Sequence, residues 1–444
     1  MSLKGYTFKG GVHTPHFKEQ TEKMPIENAI EPKLVVIPLS QHIGAPCEPL
    51  VAAGEYVKVG QKIGESKAFV SAPVHSSVSG TVKRIELHQT PGGSKTKSII
   101  IESDNLFEVH ESVKPKGNIE DLTKEEILGI IKDAGLTGMG GAGFPTHVKL
   151  SPPKDKPIDT IIINGAECEP YLTADHRIMV EKPDLVLLGI RAVMKAVGVN
   201  KCFVAIEKNK PDAIEAMKKA VEGVEGIEVA PLETKYPQGD EKRIINAVTG
   251  REVPSGGLPM DVGCIVDNIG TIATIGNVIL TGMPVIQRVT TVTGSAINDP
   301  KNLYIRIGTL FSDIIEQCGG FSQEPGKILN GGPMMGIAQY TTDVPVIKGT
   351  SGILILNRKD SDVPEPSNCI RCGKCVDVCP VNLQPYLISR QAILKRFDDA
   401  EKTYAADCIE CGSCSFICPA KRPLVETIRI AKKEVLAKRK KAVK

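Results

Sequence analysis

The feature that most constrains this chain is a pair of cysteine runs near its end, CIRCGKCVDVCP (369–380) and CIECGSCSFICP (408–419). Each reads C-x-x-C-x-x-C-x-x-x-C-P, and each cysteine of the first run recurs 39 residues later in the second. Four thiolates in one tight run can wrap three corners of an iron–sulfur cube and send the fourth ligand elsewhere. Structural zinc favours two separated C-x-x-C pairs instead. In two-cluster ferredoxins the fourth cysteine of each run ligates the other cluster. The expected ligand sets are therefore Cys369, Cys372, Cys375 and Cys418 for one [4Fe–4S] cluster, and Cys408, Cys411, Cys414 and Cys379 for the other. Pro380 and Pro419 end the two loops. A segment of this kind passes electrons one at a time.

The other five cysteines, Cys47, Cys168, Cys202, Cys264 and Cys318, are scattered. That is a metal pattern in a reducing compartment, not a disulfide framework. The 444-residue chain is long enough for about three domains. At 41% hydrophobic and 24% charged residues it has an ordinary globular composition. Tryptophan is absent and aromatics are 4%, which argues against stacking platforms for nucleic acid. No secretory signal is apparent at Met1. The most apolar stretch, 265–279, is interrupted by Asp267, Asn268 and Asn277 and is too polar to span a bilayer. The expectation is a soluble chain, or one held at a membrane only through partners. Residues 421–444 carry ten Lys or Arg against two Glu, within a chain of net charge only +3. This end reads as a basic helix fraying into a tail. It is either a solvated face or a contact for anionic lipid or an acidic partner.

Upstream, residues 1–30 read as an irregular arm, with His13 and His16 lacking further metal ligands nearby. Residues 31–110 alternate short apolar runs with Gly and Pro turns, the signature of a small all-β unit. Its V-x-x-G-Q-x-I-G and A-P-V…G-T-V phrases resemble the barrel-sandwich fold of biotinyl and lipoyl carriers. Lys67 lacks the carriers' flanking sequence, so the unit reads as structural. Residues 111–283 alternate helix and strand as an α/β domain. Helices are expected at 120–134, with a Thr123/Glu126 capping box, at 178–197, at 211–223 and within DNIGTIATIGNVIL. Residues 284–357 read as a β-grasp module of the soluble-ligand-binding class. A charged, Pro-containing linker (358–368) leads to the double-cluster domain, 369–444.

The stretch Gly138-Met139-Gly140-Gly141-Ala142-Gly143 satisfies G-x-G-x-x-G. A Rossmann fingerprint must follow a strand and open a helix. Here a helix precedes it and Phe144-Pro145-Thr146 follows, so the context is wrong. A purely structural turn stays open; the better reading is a backbone that approaches a phosphate or flat ring closely, with Lys149 adding charge.

Four ordered phrases carry a resemblance to the NADH-binding flavoprotein subunit of respiratory complex I. GMGGAGFPTHVKL (138–150) is similar to its GxGGAGFPTGxKW, and NGAECEP (164–170) to its NADESEPG. YPQGDE (236–241) is similar to YxCGEE, and VDNIGT (266–271) to VNNVET. The resemblance implies that Gly138, Gly140, Gly141, Gly143, Lys149, Asn164, Asp267, Asn268 and Thr271 line FMN. It implies that Phe144, Glu167, Glu169 and Glu241 face NAD(H); the carboxylates can also be ordinary surface groups. No catalytic side chain is implied, because hydride chemistry belongs to the flavin. Ala166, Met139 and Leu150-Ser151 depart from the family phrases.

The order of units over the whole chain resembles the C subunit of the Rnf complex, a membrane-bound ferredoxin:NAD oxidoreductase that moves Na⁺ or H⁺. GGVHTPHFKE, VVIPLSQHIGAP and FVSAPVHSSVSGTV are similar to that family's opening phrases. The implied partners are integral membrane and iron–sulfur subunits of the same complex, with ferredoxin indirectly and no nucleic acid. The implied place is the cytoplasmic side of the cell membrane, peripherally, with ion movement outside this chain. Two alternatives share the domain order or its parts: a soluble NADH-dependent cobalamin reductase of a bacterial microcompartment, and a non-enzymatic relay or scaffold protein.

Overall fold

Residues 5–442 are described by the computed structural model. The arm contributes a first strand, β1 (Ile26–Asn28). The short apolar runs after it form β2 (Leu34–Pro38), β3 (Glu48–Pro49), β4 (Tyr56–Val57), β5 (Lys62–Glu65), β6 (Val74–His75), β7 (Gly80–Gln89) and β8 (Lys95–Ser103). They pair antiparallel in two small sheets, β2-β8-β7-β4 and β3-β5-β6. Inward residues such as Val35, Ile37, Ile63, Ile99 and Ile101 share one core between the sheets. Lys67 lies exposed just beyond β5.

The α/β domain starts with α1 (Lys124–Asp133). The Thr123/Glu126 capping box is formed: the Glu126 amide donates to Thr123 Oγ1 at 3.2 Å and the Thr123 amide to Glu126 Oε2 at 2.7 Å. There follow α2 (Thr146–Lys149), β9 (Thr160–Gly165), α3 (Ala174–Glu181), α4 (Pro183–Val197), β10 (Cys202–Glu207), α5 (Pro211–Ala220), β11 (Ile227–Leu232), α6 (Glu241–Thr249), β12 (Cys264–Asn268) and α7 (Ile269–Thr281). The single helix expected over 178–197 is two, broken at Lys182, because Pro183 cannot continue a helix but is suited to begin one. The four strands are parallel in the order β11-β10-β9-β12. Covered on both faces, they read as near-continuous apolar runs such as Ile161-Ile162-Ile163. α4 and α7 pack backbone to backbone: a Cβ on Gly189 would meet the Ile272 carbonyl at 2.0 Å.

The third unit holds β13 (Gln287–Thr293), β14 (Lys301–Arg306), α8 (Phe311–Gln317), β15 (Pro325–Asn330), β16 (Ile337–Gln339) and β17 (Gly352–Asn357). Its six-stranded sheet runs β1-β14-β13-β17-β15-β16, so the arm's β1 completes it, parallel to β14. The arm is thus built in. Its Tyr6 bridges to Leu232 at the edge of the parallel sheet, and Val12 pairs antiparallel with Tyr236. Lys18 is buried, its ammonium donating to the carbonyls of Glu167, Glu169 and Leu172.

The last unit contains α9 (Arg358–Ser361), α10 (Lys374–Asp377), α11 (Pro385–Ile393), α12 (Phe397–Lys402), α13 (Ser413–Ile417) and α14 (Leu424–Ala442). The sequence repeat is a backbone repeat: Arg371 and Glu410 have φ of 55° and 58°, and Gly373 and Gly412 have φ of 79° and 77°. The basic end is helical to Ala442, with the expected tail beyond it lying outside the described residues, and part of its charge folds back. Arg429 and Lys432 pair with Glu410, Lys438 with Asp398, and Arg439 with Glu401. Among the described residues no helix is long and apolar enough to cross a membrane.

Candidate functional site

In open parallel sheets, ligands sit outside the carboxyl ends of the strands, where the winding reverses direction. Here the chain leaves β9 towards β10 and β11 and returns to β9's other side as β12, so the crevice lies between β9 and β12. Those strands end in Asn164-Gly165 and Asp267-Asn268. Asn164 donates from Nδ2 to the Gly239 carbonyl at 2.8 Å and accepts the Ala166 amide at 3.1 Å. Asn268 caps α7, accepting from the Gly270 and Thr271 amides, and donates to Asp175 at 2.6 Å. Lys149 reaches in from α2, donating to Glu241 Oε1 and the Val266 carbonyl, both at 2.8 Å, and lying 3.5 Å from Asp267. Burial alone would lower the lysine's pKa, but the Asp267 and Glu241 carboxylates outweigh it and keep the ammonium charged.

The glycine loop closes over this edge. The Met139 amide donates to Thr271 Oγ1 at 2.9 Å, and the Gly138 amide to the Phe144 carbonyl at 2.9 Å. Gly140 lies directly on Asn268: an added Cβ would be 2.6 Å from its Cγ. Above Gly141 there is open space, and Gly140, Gly141 and Ala142 are exposed. Gly143, at φ 69°, takes the left-handed conformation that favours glycine. Its carbonyl accepts the Ile43 amide of the barrel-sandwich unit at 3.1 Å, and Phe144 is half-buried beside it.

Glu167 and Glu169, expected from the family resemblance to face NAD(H), are each held by backbone amides. Glu167 caps α3, accepting the Asp175 and His176 amides at 2.8 and 3.2 Å. Glu169 accepts the Met334 and Met335 amides of the β-grasp module at 3.0 and 2.8 Å. Each of these two carboxylates accepts two backbone N–H groups, whereas Glu241, at the start of α6, is half-exposed. Burial, partly opposed by the two methionine amides, pushes Glu169 up to about 7.

Sequence reading missed the residues that brace the loop from other domains. Arg288, buried on β13, donates to the Met139 carbonyl at 3.2 Å. Lys348, also buried, joins the barrel-sandwich unit to the α/β domain through the carbonyls of Pro73 and Gly135, at 2.8 and 2.7 Å. Burial lowers it to about 8. The only local signal was a lone cation inside an apolar or threonine-rich run, as in VIQRVTTVTG.

The eight motif cysteines gather in two sets. Cys369, Cys372, Cys375 and Cys418 line one cavity of about 420 Å³, with Ile370 and Tyr386 at its wall. Cys379, Cys408, Cys411 and Cys414 are mutual neighbours within one electrostatic environment. No three described His, Cys, Asp or Glu side chains converge tightly enough for a single metal ion. The cavity has room for a cube, and four cysteines line it. Backbone amides already point at sulfurs: Leu383 N lies 3.2 Å from Cys379 Sγ and Glu410 N 3.4 Å from Cys408 Sγ. This donor set fits an iron–sulfur cluster.

The two sets differ in surroundings. Cys369 and Cys372 are exposed, whereas Cys379, Cys411 and Cys414 are buried. The buried set faces the α/β domain. Tyr236 packs with Cys411 and Val12, and Arg243 donates to the Pro380 carbonyl. Segment 236–243 therefore touches the cysteine side at both ends, through Tyr236 and Arg243, and the crevice between them, through Gly239 and Glu241.

The crevice also fits a flavin. Asp267 is 1% exposed, and neither of its carboxylate oxygens has a hydrogen-bond partner. In the same glycine loop the exposed backbone of Gly141 has open space above it.

Comparison with known proteins accounts for each unit. Residues 6–106 match the family described as the RnfC barrel sandwich hybrid domain, and 131–277 the Nuo51 FMN-binding domain. Residues 289–338 match the SLBB domain, and 361–419 the 4Fe-4S dicluster domain. The chain is 52% identical, over 99% of its length and 100% of the relative's, to the C subunit of the Na⁺-translocating ferredoxin:NAD⁺ oxidoreductase complex of Acetobacterium woodii. It is 53% identical to the proton-translocating counterpart of Clostridium ljungdahlii, covering 96% of this chain and 94% of that one. It is 42% identical to the C subunit of an ion-translocating oxidoreductase complex of Rhodobacter capsulatus, covering 97% and 83%. A chain of an NAD⁺-reducing [NiFe]-hydrogenase in the air-oxidized state shares the fold, with a TM-score of 0.50 at 17% identity, over 72% of this chain and 62% of that one.

Proposed function

This chain belongs to the family of C subunits of ion-translocating ferredoxin:NAD⁺ oxidoreductase complexes, and from that premise we propose that it is the peripheral subunit that exchanges electrons with NAD(H). Its cofactors are FMN and two [4Fe–4S] clusters. FMN, when bound, supplies the conversion between a hydride and two single electrons. The chain's own residues position it. The Gly138–Gly143 loop and Phe144 approach it from one side, and Asn164, Asp267, Asn268 and Thr271 form the floor at the strand ends. Lys149 keeps a positive charge at that floor, and Glu241 stands at the open side towards NAD(H). The clusters take Cys379, Cys408, Cys411 and Cys414 on the flavin side, and Cys369, Cys372, Cys375 and Cys418 on the exposed side.

The observation that carries this reading is the continuity of segment 236–243 between the crevice and the buried cysteines. When bound, the clusters would supply single-electron transfer between the flavin and the iron–sulfur and integral membrane partner subunits and, indirectly, ferredoxin, the buried cysteines holding the one on the flavin side and the exposed set the one on the partner side. We place the protein on the cytoplasmic side of the membrane, with ion translocation in its partners and the unpaired charges of α14 as a further contact.

Anaerobic NADH titration, followed by absorbance and electron paramagnetic resonance, tests this. Flavin bleaching should come first, with cluster signals following as their potentials allow. Iron-replete protein that neither holds nor rebinds FMN and does not reduce dyes with NADH would overturn it.

A further inference from the structure

Arg243 lies in the first turn of α6, two residues after Glu241, which pairs with Lys149 at the crevice. Its side chain, 15% exposed, crosses to the cluster domain and donates from Nη1 to the Pro380 carbonyl, next to Cys379. Its Nε is buried without a hydrogen-bond partner. The nearest carboxylate, Asp240, is 3.8 Å from that nitrogen and is occupied by capping α6, accepting the Arg243 amide at 3.1 Å. The other cation at this cysteine set, Lys432, donates to the Cys408 carbonyl at 2.7 Å but is compensated by Glu410 at 2.9 Å. Around the exposed set, Arg371 and Lys374 lie in water, where their fields are screened, while Arg422 lines the cavity and donates to the Ser367 carbonyl at 3.4 Å. Arg243 is thus a half-buried, permanently charged group aimed at one cluster site and not the other.

We infer that Arg243 is a positioning residue for electron transfer: from the flavin-site helix it sets a fixed cation against the cluster held by Cys379, Cys408, Cys411 and Cys414, making that cluster easier to reduce than it would be without this charge. The inference rests on the function proposed above. Reduction adds one negative charge to the cluster, and a nearby desolvated cation stabilises the product more than the reactant. The same side chain docks the cluster domain on the helix that carries Glu241, so tuning and docking act through one group.

The test is an anaerobic redox titration of the full-length, cluster-loaded protein at pH 8, with both cluster midpoints read by electron paramagnetic resonance. Cys369→Ser, which perturbs only the exposed set, assigns the two signals. Arg243→Gln should make reduction of the buried cluster on the order of tenfold less favourable, about 59 mV for one electron. The twin's midpoint should not move, and Arg243→Lys should restore most of the shift. Asp240→Asn, whose amide still caps α6, should move the same midpoint the opposite way. Unmoved midpoints in Arg243→Gln, equal movement of both, or no upward movement in Asp240→Asn overturns the inference. If Arg243→Gln loses iron, the Asp240→Asn and Arg243→Lys titrations decide. Flavin content and NADH bleaching of the unmodified protein are measured in the same series. Their failure counts against the proposed function, whereas unmoved midpoints in flavin-replete protein count against this inference alone.

Discussion

Lys149 stands 3.5 Å from Asp267, a carboxylate that is 1% exposed and has no hydrogen-bond partner on either oxygen. The pair leaves one buried anion largely dependent on one ammonium. Removing one member of a buried pair costs about 3–5 kcal/mol, because the other charge stays behind. Lys149→Met should therefore destabilise the protein by about 3 kcal/mol, the low end, since the lysine keeps some contact with water. It should also deplete FMN. Thermal unfolding and the flavin-to-protein absorbance ratio after desalting check this; unchanged flavin content would remove Lys149 from the site.

Two neighbouring glycines separate folding from binding. Gly140→Ala places a methyl 2.6 Å from Asn268 Cγ, so the loop must shift and both stability and FMN content should fall. Gly141→Ala meets nothing within 4 Å and needs no positive φ. It should leave the apoprotein within about 0.5 kcal/mol of the parent. Its methyl would nevertheless occupy the space in which a flat ring approaches the backbone, so FMN affinity should drop several-fold. Calorimetric FMN titration of the two apoproteins distinguishes these outcomes.

What the sequence made legible was local. The cysteine repeat became a backbone repeat because each run carries its own turn residues, Gly373 and Gly412. Thr123 and Glu126 formed their capping box because a cap needs only its own turn. The crevice residues Asn164, Asp267 and Asn268 were reached only through phrases that resemble the complex I flavoprotein subunit, NGAECEP and VDNIGT, and the structure puts them at strand ends. What stayed hidden depended on distant chain. Glu167 and Glu169 share one short phrase, yet one caps α3 and the other holds the Met334–Met335 turn, some 165 residues away. Lys18, Arg288 and Lys348 could not be assigned because their partners are backbone carbonyls in other units, and carbonyls leave no mark in a sequence. The arm's place in the β-grasp sheet escaped for the same reason: β1 pairs with a strand that begins at Lys301.

Glu169 makes the contact between the α/β domain and the β-grasp module sensitive to pH. Burial raises it to about 7 in the folded protein, from the 4.5 of an exposed carboxyl. Between those values the folded state binds more protons than the unfolded one, so stability falls as pH rises through this window. At 1.36 kcal/mol per unit the full effect is about 3 kcal/mol. Glu169→Gln cannot ionise and should flatten the slope of unfolding free energy between pH 5 and 7.5. Parallel slopes for the two proteins would show that Glu169 does not carry the dependence.

Crossed ligation makes the last prediction the most discriminating. If each run held its own cluster, Cys379→Ser and Cys369→Ser would damage the same centre, since both lie in the first run. The structure groups Cys418 with Cys369 around one cavity, and Cys379 with the second run's Cys408, Cys411 and Cys414. Cys418→Ser should therefore alter the same paramagnetic signal as Cys369→Ser, and Cys379→Ser the same signal as Cys411→Ser. Cys411→Ser should cost more than Cys369→Ser, because Cys411 also belongs to the packing at Tyr236 and Val12, whereas Cys369 is exposed. Iron content and spectra of the four variants check this. Pairing by run, with Cys379→Ser matching Cys369→Ser, would reject the crossed arrangement.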